Sequence, residues 1–297
     1  MKIGMIGLGK MGLNLVANLL EQGIEVAAYD LNSAAIKAAA DLGAQPITEL
    51  SEFVEVLPAP RIVWVMVPAG AATAQIITQL QQLLQAKDIV IDGGNSFYED
   101  SLQHGQLLAK KHIYFFDVGT SGGMSGARSG GNFMIGGTAE VFPIIEPIFQ
   151  AIAQPAGYLY TGEVGSGHYL KMVHNGIEYG MMQAIAEGFD LLEHSPYAYD
   201  NEKVAKVWNH GSVVRSWLME LAEEAFQADP HLENLKGTMY SSGEGLWTVE
   251  EALKRQVPLP VITLALQMRY RSLEDDTFTG KVVASLRNGF GGHAVNK

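Results

Sequence analysis

The chain has 297 residues, of which 47% are hydrophobic and 18% charged, with a net charge of −12 and no cysteine. That is material for one or two globular domains at roughly 150 residues each. It excludes nucleic-acid binding driven by bulk charge, disulfides, thiolate catalysis and cysteine-held metals. No apolar run approaches the ~18 residues of a membrane span. The opening MKIGMIGLGKMG begins like a secretion signal, but glycines and Lys10 interrupt it and no clean small-residue cleavage site follows. A reducing, cytoplasmic setting is expected, with neither nucleic acid nor membrane as partner. An anionic ligand must then be held by a local pocket.

The first half alternates between two periods. Residues 2–6 read as a short apolar strand, 13–22 as a helix ending at Gly23, 24–29 as a strand and 33–42 as a helix. Residues 61–67 form an unbroken apolar run between Pro60 and Pro68, the mark of a strand buried on both faces. A helix over 73–84 follows, then strands at 88–92 and 113–118 with a helix over 102–111 between them. Strands alternating with helices imply right-handed βαβ units and a parallel sheet. The pattern changes near residue 160. A long proline-free helix over 167–193 is followed by helices at 201–209, 213–226, 249–256 and 261–272, and strand signals nearly vanish. The fold class is therefore an α/β Rossmann-type doubly wound parallel sheet over 1–163, then an all-α domain over 164–297. Residues 281–297 are glycine-rich and show no obvious helical face.

Gly7-Leu8-Gly9-Lys10-Met11-Gly12 is a G-x-G-x-x-G that follows a strand and opens a helix, and Asp30 ends the next strand at close to the ~20-residue spacing of a dinucleotide fingerprint. Gly7 permits the tight turn, Gly9 lets backbone approach a pyrophosphate, and Gly12 packs helix on strand. The helix N-terminus supplies free N–H groups for the phosphates. Asp30 would accept from a ribose 2′-hydroxyl and repel a 2′-phosphate, and no arginine follows it, so the cofactor is read as NAD. Asp30 could instead cap the following helix, a role also open to Asn32 or Ser33. Two further strand ends, at Val67 and at Asp92-Gly93-Gly94-Asn95-Ser96, fall on the carboxyl edge of the same sheet, where open α/β proteins bind ligands. Gly7, Gly9, Met11, Gly12, Asp30, Val67 and Asn95 are the expected cofactor contacts. The segment Gly119-Thr120-Ser121-Gly122-Gly123 offers hydroxyls and bare N–H groups at that edge.

In the long helix, Lys171, His174, Asn175 and Glu178 fall at i, i+3, i+4 and i+7 and share one face. A base and an acid about 10 Å apart along a helix serve opposite ends of a small substrate. The plain alternative is a solvated face. Gly176 and Gly180 cost roughly 1 kcal/mol each in an exposed helix, which suggests that something approaches the backbone closely there. Leu170, Val173, Ile177, Met181 and Ala184 form a neighbouring apolar face suited to packing.

The motifs GLGKMG, DGGNS, SGG, GHYLKMVHNGIEYG, SGEGLWT and LRNGFGGH run nearly end to end, and with them the chain resembles the decarboxylating 6-phosphogluconate dehydrogenases in their shorter bacterial form. These belong to the β-hydroxyacid dehydrogenase superfamily. The resemblance implies Lys171 as general base, Glu178 as the acid that protonates C1 of the enediol, and Asn175 beside them in the catalytic set, with no metal. It implies that Asn95, Ser121, Gly122, Gly123, His174 and Asn175 bind the sugar acid and that Tyr179, Arg269 and Arg287 contact its phosphate. Arg287 and His293 would belong to a tail that reaches into a partner subunit's site, in a homodimer or homotetramer. Ser242 and Glu244 stand where the longer enzymes carry a lysine and a threonine, and a carboxylate beside a phosphate is unfavourable. The competing readings are a non-decarboxylating dehydrogenase of another β-hydroxyacid and a non-catalytic NAD-sensing regulator.

Overall fold

A computed structural model describes residues 1–296 and resolves into two compact units, Met1–His174 and Asn175–Lys297. In the first, eight strands form one sheet in the order β3-β2-β1-β4-β5-β6-β7-β8. They are β1 (Lys2–Ile6), β2 (Glu25–Tyr29), β3 (Gln45–Pro46), β4 (Ile62–Val65), β5 (Ile89–Asp92), β6 (Tyr114–Ser121), β7 (Gly131–Gly137) and β8 (Ala153–Gly162). The helices between them are α1 (Lys10–Glu21), α2 (Ser33–Asp41), α3 (Phe53–Val56), α4 (Ala71–Leu83), α5 (Tyr98–Ala109), α6 (Gly123–Ser129) and α7 (Phe142–Ile152). The sheet is Rossmann-type and mostly parallel. It departs from the expected all-parallel sheet because β7 runs antiparallel to β6, and β8 then pairs parallel with β7.

The central strands are buried on both faces, and their alternation builds two cores. Ile62, Trp64, Ile89, Ile91 and Phe116 pack on one side, while Val63, Val65, Val90 and Phe115 pack on the other. The first core is closed by Trp64, Phe133 and Phe149, whose rings meet at centroid distances of 5.4 to 6.1 Å. Phe133 and Phe149 lie on β7 and α7, elements absent from the sequence reading. Their signals are masked: β7 is rich in glycine, α7 carries Pro147 inside it, and β8 contains Pro155. As the last strand of the order, β8 tolerates a residue that cannot donate to a ladder.

The long helix α8 (Ser166–Glu193) belongs to both units. The second unit continues with α9 (Asn201–Asn209), α10 (Trp217–Ala228), α11 (Gly243–Arg255), α12 (Pro260–Arg271) and α13 (Phe278–Gly291). Asp200 and Ser216 cap α9 and α10 by accepting from the N–H groups of Lys203 and Met219. The cores here are small. One gathers Phe189, Ala205, Met219 and Phe226, the other Tyr179, Ala265 and Leu266. The glycine-rich tail is helical, contrary to expectation: Thr277 caps α13 and Gly292 ends it at φ 62°. No residue of α13 is buried. Among the described residues, no helix is long and apolar enough to cross a membrane.

Candidate active site

The glycine loop between β1 and α1 is shaped by contacts that leave no room for larger residues. Gly7 adopts φ +95°, and a Cβ there would lie 2.5 Å from the Met66 carbonyl oxygen. A Cβ on Gly12 would overlap the carbonyl oxygen of Gly7, so helix and turn touch backbone to backbone. Gly9 differs. It is the N-cap of α1, and a Cβ built on it meets nothing within 4 Å. The open side of this turn, beside the free N–H groups of the helix, fits a pyrophosphate. Met11 and Val67 are half-buried in and beside this turn.

Asp30 does not cap α2. Its two carboxylate oxygens accept from the backbone N–H groups of Leu8, at 2.7 Å, and Asn32, at 2.8 Å, while the Asn32 side chain accepts from Ala34 and does the capping. The carboxylate thus sits against the glycine loop, where a ribose would lie. At the next edge, Asp92 is fully buried. It accepts from Gly94 N–H at 3.0 Å and from the Ser96 hydroxyl at 2.7 Å, which folds the DGGNS turn back and leaves Asn95 exposed. Behind that turn, burial pushes the His104 imidazole below its ordinary pKa against the opposing fields of Asp92 and Asp100.

The start of α8 is fixed from β6. Asp117, fully buried, accepts from Gly165 N–H at 2.6 Å and His168 N–H at 2.7 Å, which satisfies the first turn of the helix. The His168 ring meets the Ser101 hydroxyl of α5 at 2.7 Å. One turn on, the Lys171 stem lies on Gly119, where any Cβ would overlap the lysine's own Cβ. Lys171 is only 6% exposed, so the solvated-face alternative fails at this residue. The Ser121 hydroxyl lies 3.4 Å from His174 Nε2, and Gly122 turns the chain at φ +102° into α6, with Gly123 exposed beside it. Asp117 was not singled out from the sequence, and Gly119 was read only as the first residue of the edge segment 119–123, not as the seat of the Lys171 stem. A carboxylate inside the apolar strand IYFFDV is the signal that was there to be read.

In the second unit, Asn175 is 8% exposed and donates through Nδ2 to Glu244 at 3.0 Å. Glu178 is half-buried on the same helix. The Tyr179 hydroxyl meets Ser242 Oγ at 3.1 Å and accepts from Ser242 N–H at 2.9 Å. The Arg269 guanidinium stacks 3.5 Å from the centre of the Tyr179 ring and donates to the Tyr240 carbonyl at 2.8 Å. Tyr179, Ser242 and Arg269 are thus gathered at one place. Arg287 and His293 are not. They are exposed, on α13 and just beyond its end. What approaches Gly176 and Gly180 is protein: Thr248 of α11 at the first, Val261 and Ile262 of α12 at the second. The apolar face of α8 is the reverse of what was expected. Leu170, Ile177 and Met181 are 38%, 53% and 41% exposed, while Lys171 and Asn175 are covered.

A glycine loop on a Rossmann sheet, followed by a helical part that begins with a lysine-bearing helix, defines a two-part NAD(P)-binding dehydrogenase. Residues 2–165 match the NAD binding domain of 6-phosphogluconate dehydrogenase, and residues 167–287 match the C-terminal domain of that enzyme. The YqeC protein of Bacillus subtilis (strain 168), provisionally named a 6-phosphogluconate dehydrogenase, is 55% identical over 100% of both chains. A 6-phosphogluconate dehydrogenase of Haloferax volcanii, named as NAD(+)-dependent and decarboxylating, is 43% identical over 99% of this chain and 98% of its own. Among solved structures, the Plasmodium falciparum 6-phosphogluconate dehydrogenase, described with NADP+ and with 6-phosphogluconate, superposes with a TM-score of 0.84 at 30% identity. It covers 100% of this chain and 66% of its own. The chain belongs to the 6-phosphogluconate dehydrogenase family.

The glycine loop makes one prediction independent of turnover. Gly12→Ala forces a methyl group onto the Gly7 carbonyl oxygen, so nicotinamide dinucleotide binding, read by calorimetric titration, should weaken at least about tenfold. Unchanged affinity would remove the loop from the binding site.

Proposed function

We propose that this chain catalyses the oxidative decarboxylation of 6-phospho-D-gluconate to D-ribulose 5-phosphate and CO2, with NAD as oxidant. The observation that carries the reading is the covered polar stripe of α8: a lysine 6% exposed and an asparagine 8% exposed one turn later, while the apolar face of the same helix stands open. The two groups follow one another along one helix, as a base and a neighbouring amide serving one small substrate require. NAD would be held by the turn at Gly7, Gly9, Met11 and Gly12, by Asp30 and by the strand ends at Val67 and Asn95, and when bound it accepts the hydride from C3.

Lys171 takes the proton of the substrate 3-hydroxyl as the hydride departs, which leaves a 3-keto acid. Loss of CO2 from that β-keto acid places the C–C bonding pair in an enediol, and the protonated Lys171 returns its proton to the carbonyl oxygen. Glu178 then protonates C1 of the enediol while the neutral Lys171 takes back the proton of the C2 hydroxyl, which gives the ketose. Asn95, Ser121, Gly122, Gly123, His174 and Asn175 hold the hydroxyls and carboxylate, and Tyr179 and Arg269 take the phosphate. Arg269 is suited to that task because its guanidinium is already held flat on the Tyr179 ring, with a hydrogen bond to the Tyr240 carbonyl. The working form is proposed as a homodimer or homotetramer. Phe278 and Phe290 are each 79% exposed on a helix with no buried residue, and a second copy covering α13 would carry Arg287 and His293 into its site.

A matrix of phosphorylated and free gluconate, each with NAD and NADP, with CO2 and ribulose 5-phosphate as readouts, tests the reading directly. Reduced cofactor without CO2 would replace it with a simple β-hydroxyacid dehydrogenase. Within that matrix NAD should exceed NADP in kcat/KM by at least about tenfold, and Asp30→Asn with Leu31→Arg should move preference toward NADP. Equal efficiency with NADP in the unmodified protein would remove Asp30 as the selector. Lys171→Met should bind NAD normally yet lose nearly all turnover, and Glu178→Gln should lose roughly 10²–10⁴-fold. Near-normal activity in either variant excludes that residue's proton-transfer role. For the tail, Lys171→Met protein mixed with Arg287→Ala protein, under subunit exchange, should regain activity, because a mixed dimer holds one site with both residues intact. No recovery with exchange verified would confine each site to a single chain.

A further inference from the structure

Glu244 stands in the first turn of α11, 4% exposed, and its carboxylate accepts from Asn175 Nδ2 at 3.0 Å. Burying a carboxylate against one neutral amide costs more than that bond returns, and an apolar residue would pack there at lower cost. Two things lessen the cost. The positive end of the α11 dipole favours a negative charge in its first turn. The carboxylate is also held in place by its own chain. Two residues before it, Ser242 is bonded to the Tyr179 hydroxyl through both Oγ and N–H. One residue after it, Gly245 lies so close under the Tyr179 ring that a Cβ would come 2.5 Å from Cε2. Four residues on, Thr248 packs on Gly176 and returns its hydroxyl to the Glu244 carbonyl at 2.7 Å.

We infer that Glu244 is a positioning residue whose buried carboxylate fixes the orientation of the Asn175 side-chain amide. The reason is the donor inventory. An ionised carboxylate only accepts, so only the NH2 end of the amide can face it, and the carbonyl end is thereby set in the opposite direction. No neutral residue imposes this. A glutamine at 244 could accept from Asn175 or donate to it, and the two amides would pair in either of two orientations. A leucine would leave the amide without a partner on that side. The consequence for catalysis rests on the function proposed above, because it requires Asn175 to meet the sugar acid. The pairing itself does not.

The experiment therefore has two arms. The first is a stability cycle on the full chain with Glu244→Gln, Asn175→Asp and the double variant. Asn175→Asp alone sets two acceptor-only groups against each other and should lower Tm. Adding Glu244→Gln supplies a donor and should recover most of that loss. A double variant with a Tm loss equal to the sum of the singles would overturn the pairing. The second arm measures kcat, KM and NAD affinity for Glu244→Gln and Glu244→Leu with 6-phosphogluconate. Expected is a graded fall in kcat/KM, severalfold for Gln and at least about tenfold for Leu, with NAD affinity unchanged. Full activity in Glu244→Leu, or loss of activity that only tracks loss of Tm, would overturn the positioning role. If the Leu variant does not fold, the Gln variant decides: it must lose activity at unchanged Tm. If the unmodified protein does not oxidise 6-phosphogluconate, the proposed function fails, and the stability cycle still decides the pairing.

Discussion

The arrangement depends on how the first turn of α8 is satisfied inside the protein. A helix that begins in a buried place brings N–H groups that water cannot reach. Asp117 meets that need from β6, with its two oxygens on Gly165 and His168. Once the helix is anchored there, the position of Lys171 follows, one turn along and against the bare backbone of Gly119. The base of the lysine side chain fills the space that a methyl group at 119 would take. Its burial is thus a consequence of the sheet edge and the cap together.

The same economy of space runs down the helix into the second unit. Gly176 admits Thr248, Gly180 admits α12, and Gly245 lies under Tyr179, so the chain before α11 lies tight on α8. Polar groups brought this close must pair, and they do: Asn175 with Glu244, Tyr179 with Ser242. The helix therefore covers its polar face and leaves Leu170, Ile177 and Met181 open. The covered side is held by apolar packing of Met172, Tyr179 and Phe189 as well as by these polar pairs. The open apolar side of the helix, with that of α13, is surface of the sort that associating proteins cover.

Much of this was legible in the sequence, and for identifiable reasons. The strand–glycine loop–helix run at residues 2–21 and the acidic residue ending the next strand are local patterns with fixed spacing, and they fold as spaced. The stripe at Lys171, His174, Asn175 and Glu178 follows from helical periodicity alone. The segment from 123 to 160 was not legible. Its strand β7 is glycine-rich, α7 contains a proline, and β8 carries one too, so each local signal contradicts the element formed. These elements exist because Phe133 and Phe149 complete the core around Trp64. The helical tail is a similar case, where Thr277 and Gly292 set ends that its glycines concealed.

The sequence by itself determined which residues lie next to one another along a strand end or a helix face, because those relations depend only on chain geometry and repeat every few residues. It therefore determined the dinucleotide loop, the lysine-to-glutamate row and the two-part order. Only the tertiary structure decided which face of α8 is covered, that Asp117 rather than solvent caps it, that Asn32 rather than Asp30 caps α2, and that Glu244 is directed at Asn175. Each of these is a choice of partner between segments far apart in the chain. It is settled by which groups can reach one another when the backbones come within a glycine's width, and no local pattern encodes that.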